Sequence, residues 1–132
     1  MSRFLLDTNT CIYLLNGKYH LDNKIAAIGE RQCSLSEITV AELLFGAENS
    51  ERIAHNVRII NEFVNRFQIL PIFPTLHIYA KEKTRLRKAG TPIDEFDLLI
   101  AATAITNNLI LVTNNTKHFT RFKNIKLENW AN

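Results

Sequence analysis

Short apolar runs alternate with helical patterns along the whole chain, and that alternation leaves few folds open. Phe4-Leu5-Leu6 reads as a buried strand and stops at Asp7-Thr8-Asn9, residues suited to starting a helix. The helix that follows runs through Ile12, Leu14 and Leu15 and ends near Asn16-Gly17. A second helix is expected over Asp22 to Arg31 and a brief strand at Cys33-Ser34-Leu35, after which Ser36 caps a helix reaching Gly46. Ser50 is expected to open an amphipathic helix with Ile53, Val57, Ile60, Val64 and Phe67 at helical spacing. Phe67 to Ile72 then turns strand-like, and a further helix carries Leu76, Tyr79 and Leu86 until Ala89-Gly90-Thr91-Pro92 breaks it. Asp94 caps an apolar helix ending at Asn107-Asn108, Leu109 to Val112 is a strand, and Ile125 to Leu127 is a last edge strand. Strands that alternate with helices predict an α/β fold, a mostly parallel central sheet with helices on both faces.

The 132 residues are expected to form one domain, residues 1–132. A 46% hydrophobic and 22% charged composition excludes a disordered chain, and no apolar run is long enough to cross a bilayer. Arg3 interrupts the N-terminus before a signal-peptide core can build, so no export and a cytoplasmic location are expected. Cys11 and Cys33 read as free buried thiols. The net charge of +3 points weakly to a polyanionic partner.

In parallel α/β sheets, ligands bind beyond the carboxyl ends of the strands. Asp7 lies past the first strand, and Thr113, Asn114 and Asn115 lie past the strand Leu109 to Val112; if those strands are neighbours, these groups share one rim. Asp7 and Asp97 also read as ordinary complements to helix N-termini, Asp97 three residues after Asp94. Glu42 is harder to explain that way. It sits on a helix apolar nearly all round, and no Lys or Arg occurs between Glu37 and Ser50. An unpaired buried charge costs several kcal/mol, so a cation must come from elsewhere in the chain or from a metal. Converging carboxylates raise one another's pKa unless a cation neutralises them, and an all-oxygen set suits Mg²⁺ or Mn²⁺ rather than zinc. Metal-assisted attack of water on a phosphodiester is the chemistry such a site supports.

At these residues the chain resembles a known family. Leu5-Leu6-Asp7-Thr8-Asn9, Thr39-Val40-Ala41-Glu42-Leu43 with Gly46-Ala47, Gly90-Thr91-Pro92-Ile93 followed by Asp97-Leu98-Leu99-Ile100-Ala101-Ala102, and Leu111-Val112-Thr113-Asn114-Asn115 with Phe119 are similar to the PIN-domain toxins called VapC. The likeness extends to Leu127-Glu128-Asn129-Trp130, essentially the full chain. It implies a PIN-like fold and a Mg²⁺-dependent endoribonuclease, with Mn²⁺ able to substitute. It also implies the toxin of a bacterial toxin–antitoxin pair, silenced by a VapB antitoxin whose tail occupies the active-site groove. A homodimer is implied, with operator DNA bound only through the antitoxin. The catalytic and metal-holding acids carry over as Asp7, Glu42 and Asp97, supported by Thr8, Asn9, Thr113, Asn114 and Asn115. The run Thr113 to Phe119 resembles the branch that cuts initiator tRNA in its anticodon loop.

Two departures stand out. Asn114 and Asn115 occupy the place where many PIN domains have a fourth acid, and Asp94 and Glu95 stand where this branch often has a small or neutral pair. Asp94 is read as a helix cap rather than a metal ligand, and Glu95 as solvated or facing the antitoxin. Lys117, Arg121 and Lys123 follow the rim and are candidate RNA contacts. The run Lys81, Lys83, Arg85, Arg87 and Lys88 reads as a solvated helix face, diluted by Glu82. His118 reads as a surface histidine. A receiver-like signalling domain and a PIN scaffold that only binds RNA or protein are the alternatives; the first lacks its acidic pair here and has no Asp closing Phe67 to Ile72.

Overall fold

The computed structural model describes residues 2–132. Five short strands, β1 (Phe4–Leu6), β2 (Cys33–Ser36), β3 (Gln68–Leu70), β4 (Ile110–Val112) and β5 (Lys126–Glu128), form one sheet in the order β3-β2-β1-β4-β5. Every pairing is parallel, with Phe4 opposite both Cys33 and Ile110 and Leu6 opposite Val112. Parallel strands demand crossover connections, supplied by α1 (Thr8–Leu15), α2 (Leu21–Ile28), α3 (Glu37–Glu48), α4 (Ile53–Val64), α5 (Leu76–Lys88) and α6 (Glu95–Thr106). A four-residue α7 (Thr116–Phe119) leads into β5.

Period-two alternation along the central strands divides the core between the two faces of the sheet. Phe4, Leu6, Cys33, Leu35 and Val112 pack with Leu14, Ile25, Phe63 and Trp130 on one side. Leu5 and Leu111 pack with Leu86, Leu98, Ala101 and Phe119 on the other. Helices therefore cover both faces, as the alternation predicts. The receiver-like alternative requires the strand order 2-1-3-4-5, and the observed order 3-2-1-4-5 excludes it.

Several boundaries differ from expectation for local reasons. α2 ends at Ile28 rather than Arg31, because Gly29 adopts φ 104 and a 3-10 turn over Glu30–Gln32 follows. α4 starts at Ile53 rather than Ser50. The Ser50 hydroxyl donates to the Ala47 carbonyl and accepts from Asn56 Nδ2, so it finishes α3 and braces α4 instead of capping it. α3 itself runs two residues beyond Gly46, and β3 is confined to Gln68–Leu70.

Candidate active site

Asp7 is placed by the two central strands. It follows β1 directly, its N–H donates to the Val112 carbonyl of β4, and extended dihedrals (φ −67, ψ 158) put it at the N-cap of α1. Its Oδ1 accepts from the Thr8 N–H at 2.8 Å and its Oδ2 from the Thr113 hydroxyl at 2.8 Å. Both donors are neutral, and the residue is 6% exposed. Burial pushes the Asp7 carboxyl above its ordinary range; Thr113 and Thr8 oppose that rise, and Asp97 adds to it.

Glu42 arrives from α3, whose entry is fixed by the Ser36 hydroxyl accepting from the Ile38 N–H at 3.0 Å. Among the described residues no basic side chain pairs with Glu42, so the chain itself does not supply the cation; Thr8 Oγ1 donates to Glu42 Oε1 at 2.7 Å and shares a hydrogen bond with Thr39 Oγ1. Burial raises the Glu42 pKa, Thr8 partly offsets that, and Asp7, Asp97 and Asp94 push it further up.

Asp97 sits in the first turn of α6, whose cap is Asp94, accepting from the Phe96 N–H at 3.2 Å. The fold brings this turn beside Asp7. Asp97 Oδ2 lies 3.2 Å from His118 Nε2 on α7. Burial raises the Asp97 pKa while His118 lowers it. His118 is thus a correction to the surface reading: it is half-buried and, among the described residues, is the one basic group in contact with the acids. A four-residue helix gives almost no periodic signal, which is why its role was not legible.

Asp7, Thr8, Asn9, Glu42, Asp97, Asn115 and Phe119 line one cavity of about 100 Å³. Larger cavities exist elsewhere, up to about 720 Å³ along α5. Chemistry singles out the small polar one. Both Asn114 and Asn115 are exposed, but Asn115 is on the cavity wall, whereas Asn114 donates through Nδ2 to the Tyr13 hydroxyl, outside it. Thr113 is fully buried and holds Asp7, also accepting from the Asn115 N–H. Asp94 caps its helix, as read, and it is exposed. Glu95 bonds Tyr79 and pairs with Lys83. Lys117 and Arg121 are exposed on and just after α7, and Lys123 lies on the α5 cavity instead.

Among the described residues, no three His, Cys, Asp or Glu side chains converge closely enough to chelate an ion as they stand. Each acid is turned onto a hydroxyl, an amide or an imidazole. The donor set nevertheless suits a hard cation, being three partly desolvated carboxylates around one polar cavity with no Lys or Arg on its walls. Cys11 and Cys33 are buried free thiols, and burial holds Cys33 up at about 11, so neither is a nucleophile at neutral pH.

Residues 4–125 match the family described as PIN domain, and the chain belongs to that family. It is 34% identical to the tRNA(fMet)-specific endonuclease VapC of Salmonella typhimurium, over 99% of this chain and 100% of that one. It is 38% identical to Ribonuclease VapC2 of Haemophilus influenzae, over 99% and 100%. Within the PIN-domain family, then, it falls among the VapC proteins. Its fold superposes on a crystal structure of DNA-bound VapBC from Salmonella typhimurium with a TM-score of 0.92, at 32% identity over 98% of this chain and 99% of that one. A structure of VapBC2 from Rickettsia felis bound to a promoter DNA fragment gives 0.86 at 34% identity, over 96% and 98%.

Proposed function

We propose that this chain is the VapC toxin of a toxin–antitoxin pair, a divalent-cation-dependent endoribonuclease that cuts initiator tRNA in its anticodon loop. The observation that carries the reading is the gathering of Asp7, Glu42 and Asp97 around one small cavity, each with its pKa raised by burial. Acids kept short of cations in this way are the groups a fold sets aside for a ligand. The names of its relatives supply the substrate and the partner: a tRNA(fMet)-specific endonuclease, and complexes of VapB with VapC.

Asp7, Glu42 and Asp97 would hold the ion, Mg²⁺ with Mn²⁺ as substitute. When bound, such an ion lowers the pKa of a water and offsets charge on the phosphate. The chain's own residues do the rest. Thr8 and Thr113 fix the orientation of Glu42 and Asp7, and His118 positions Asp97. Asn9 and Asn115 offer neutral polar groups on the cavity wall, and the buried ring of Phe119 limits water on that side. Asn115 contributes no charge where other PIN domains have a fourth acid, which favours one tightly held metal. Lys117, Arg121 and Lys123 are assigned to the RNA backbone.

An antitoxin tail would reach the site along an apolar cleft of about 340 Å³ that borders Glu42 and is lined by Ile12, Leu15, Ala47 and Ile59. The protein acts as a homodimer in this reading, and operator DNA is contacted through the antitoxin. Mapping RNA ends after a brief induction is the test. New ends confined to the anticodon loop of initiator tRNA, absent with Asp7→Asn, are expected. Binding without any cleavage would instead identify a catalytically silent PIN scaffold.

A further inference from the structure

A cleft larger than the carboxylate cavity lies outside it, and basic side chains line much of it. On α5, His77, Lys81, Arg85 and Lys88 recur at the spacing of one helical face, and Lys123 with Asn124 forms the opposite wall. The cleft measures about 720 Å³. Its one acid is already matched. Glu82 takes a bidentate contact from Arg85 (2.9 and 3.0 Å) and the Lys123 N–H at 2.9 Å. Lys81, Lys88 and Lys123 are exposed and take part in no ion pair among the described residues.

Ordinary helix electrostatics accounts for part of this. Basic residues in the last turn complement the helix dipole, which covers Arg85, Arg87 and Lys88. It does not cover Lys81, which places like charge four residues before Arg85, an arrangement unfavourable in the protein alone. Nor does it cover Lys123, which comes from another part of the chain and is held at the cleft by Glu82. Arg85 also donates to the Arg121 carbonyl at 2.6 Å. The segment from Phe119 to Lys123 thereby ties the cleft to the carboxylate cavity, since Phe119 lines one and Lys123 the other. Four residues of chain reach at most about 14 Å.

We infer that this cleft is a second contact for the RNA substrate, binding its phosphate backbone to one side of the cleaved bond through Lys81, Lys88 and Lys123. The inference rests on the ribonuclease reading for the identity of the polyanion. It separates two tasks: the carboxylates act on the bond, while the cleft fixes where along the molecule that bond is presented. Lys83, by contrast, is paired with Glu95 and bonded to Tyr79, and contributes nothing to the cleft.

The test compares the full-length triple variant Lys81→Ala, Lys88→Ala, Lys123→Ala with a control, Lys18→Ala, Arg52→Ala, Arg58→Ala, that removes equal charge elsewhere. Binding of unfractionated tRNA is measured on an Asp97→Asn background, so that no cleavage intervenes, at several salt concentrations. Each phosphate contact in a single strand contributes roughly 0.7 to the slope of log affinity against log salt, so three lost contacts lower it by about two. The parent therefore loses roughly 16-fold more affinity than the cleft variant between 50 and 200 mM salt, and the control follows the parent. In the cleavage-competent protein the same triple variant raises KM and leaves kcat unchanged. An unaltered salt slope, or an equal change in the control, overturns the cleft assignment. Absence of cleavage by the wild type counts against the ribonuclease reading alone, because the binding arm is independent of it.

Discussion

Two regions of this molecule bury a carboxylate, and they treat it in opposite ways. Glu82 on α5 is 9% exposed and meets a full complement of donors, the Arg85 guanidinium and the Lys123 amide. Those contacts hold its pKa below the ordinary range. Asp7 is 6% exposed and meets only an amide and a hydroxyl, with Asp97 and Glu42 nearby, and its pKa is raised. Equal burial with opposite pairing separates an acid whose charge is met within the fold from an acid whose charge is not. The first is a clasp between α5 and the segment leading into β5; the second is an unmet demand for positive charge.

The sharpest way to break this comparison is to neutralise each acid in turn. Asp7→Asn or Asp97→Asn is expected to lower the RNA cleavage rate at least roughly a hundredfold, the consequence of losing several kcal/mol of charge stabilisation in the transition state. Thermal denaturation of the same variants should show no loss of stability at neutral pH, because the charge removed was unfavourable to the fold. Glu82→Gln should do the reverse to stability. It leaves the half-buried Arg85 without its countercharge and should lower stability by about 1–2 kcal/mol, discounted for the partial exposure of Arg85. Urea titration measures that loss.

A smaller effect is a divergence in pH dependence. For Asp7, Glu42 and Asp97 the folded pKa lies above the unfolded one, so the folded state holds more protons in that window. Stability then falls as pH rises through it. For Glu82 the folded pKa is depressed, so its contribution is present above the unfolded value and lost as pH falls through the folded one. Asp97→Asn should therefore gain stability over wild type near pH 7 and lose that gain near pH 3, while Glu82→Gln should be most damaging near pH 7. Melting temperatures across that range distinguish the two; parallel curves would contradict the contrast.

What was legible in the sequence was what local chemistry decides. The β1 run, the Asp7 and Asp94 caps and the Ser36 cap of α3 are settled within a few residues, and all appear in the fold. Glu42 was legible as a charge in an apolar setting, although its partner, the Thr8 hydroxyl, lies 34 residues away and leaves no local trace. The approach of Asp97 to Asp7 depends on how α6 packs, and His118 depends on a helix of one turn. Glu82 was read as a diluting charge on a solvated face. Its burial follows from the segment Arg121–Lys123 folding back over α5, a contact between distant parts of the chain. Family likeness covered the acids themselves and not this second use of a carboxylate.

The measurement that tests the central claim most directly is the melting temperature of the wild type and of Asp97→Asn as Mn²⁺ or Mg²⁺ is titrated at pH 7. A cation that satisfies the three acids stabilises the folded state by about 2.7 kcal/mol at a hundred times its dissociation constant, on the order of 10 °C here. The account predicts that shift in the wild type, its loss at low pH, and its near disappearance in Asp97→Asn. No shift in the wild type, or the same shift in both proteins, would contradict it.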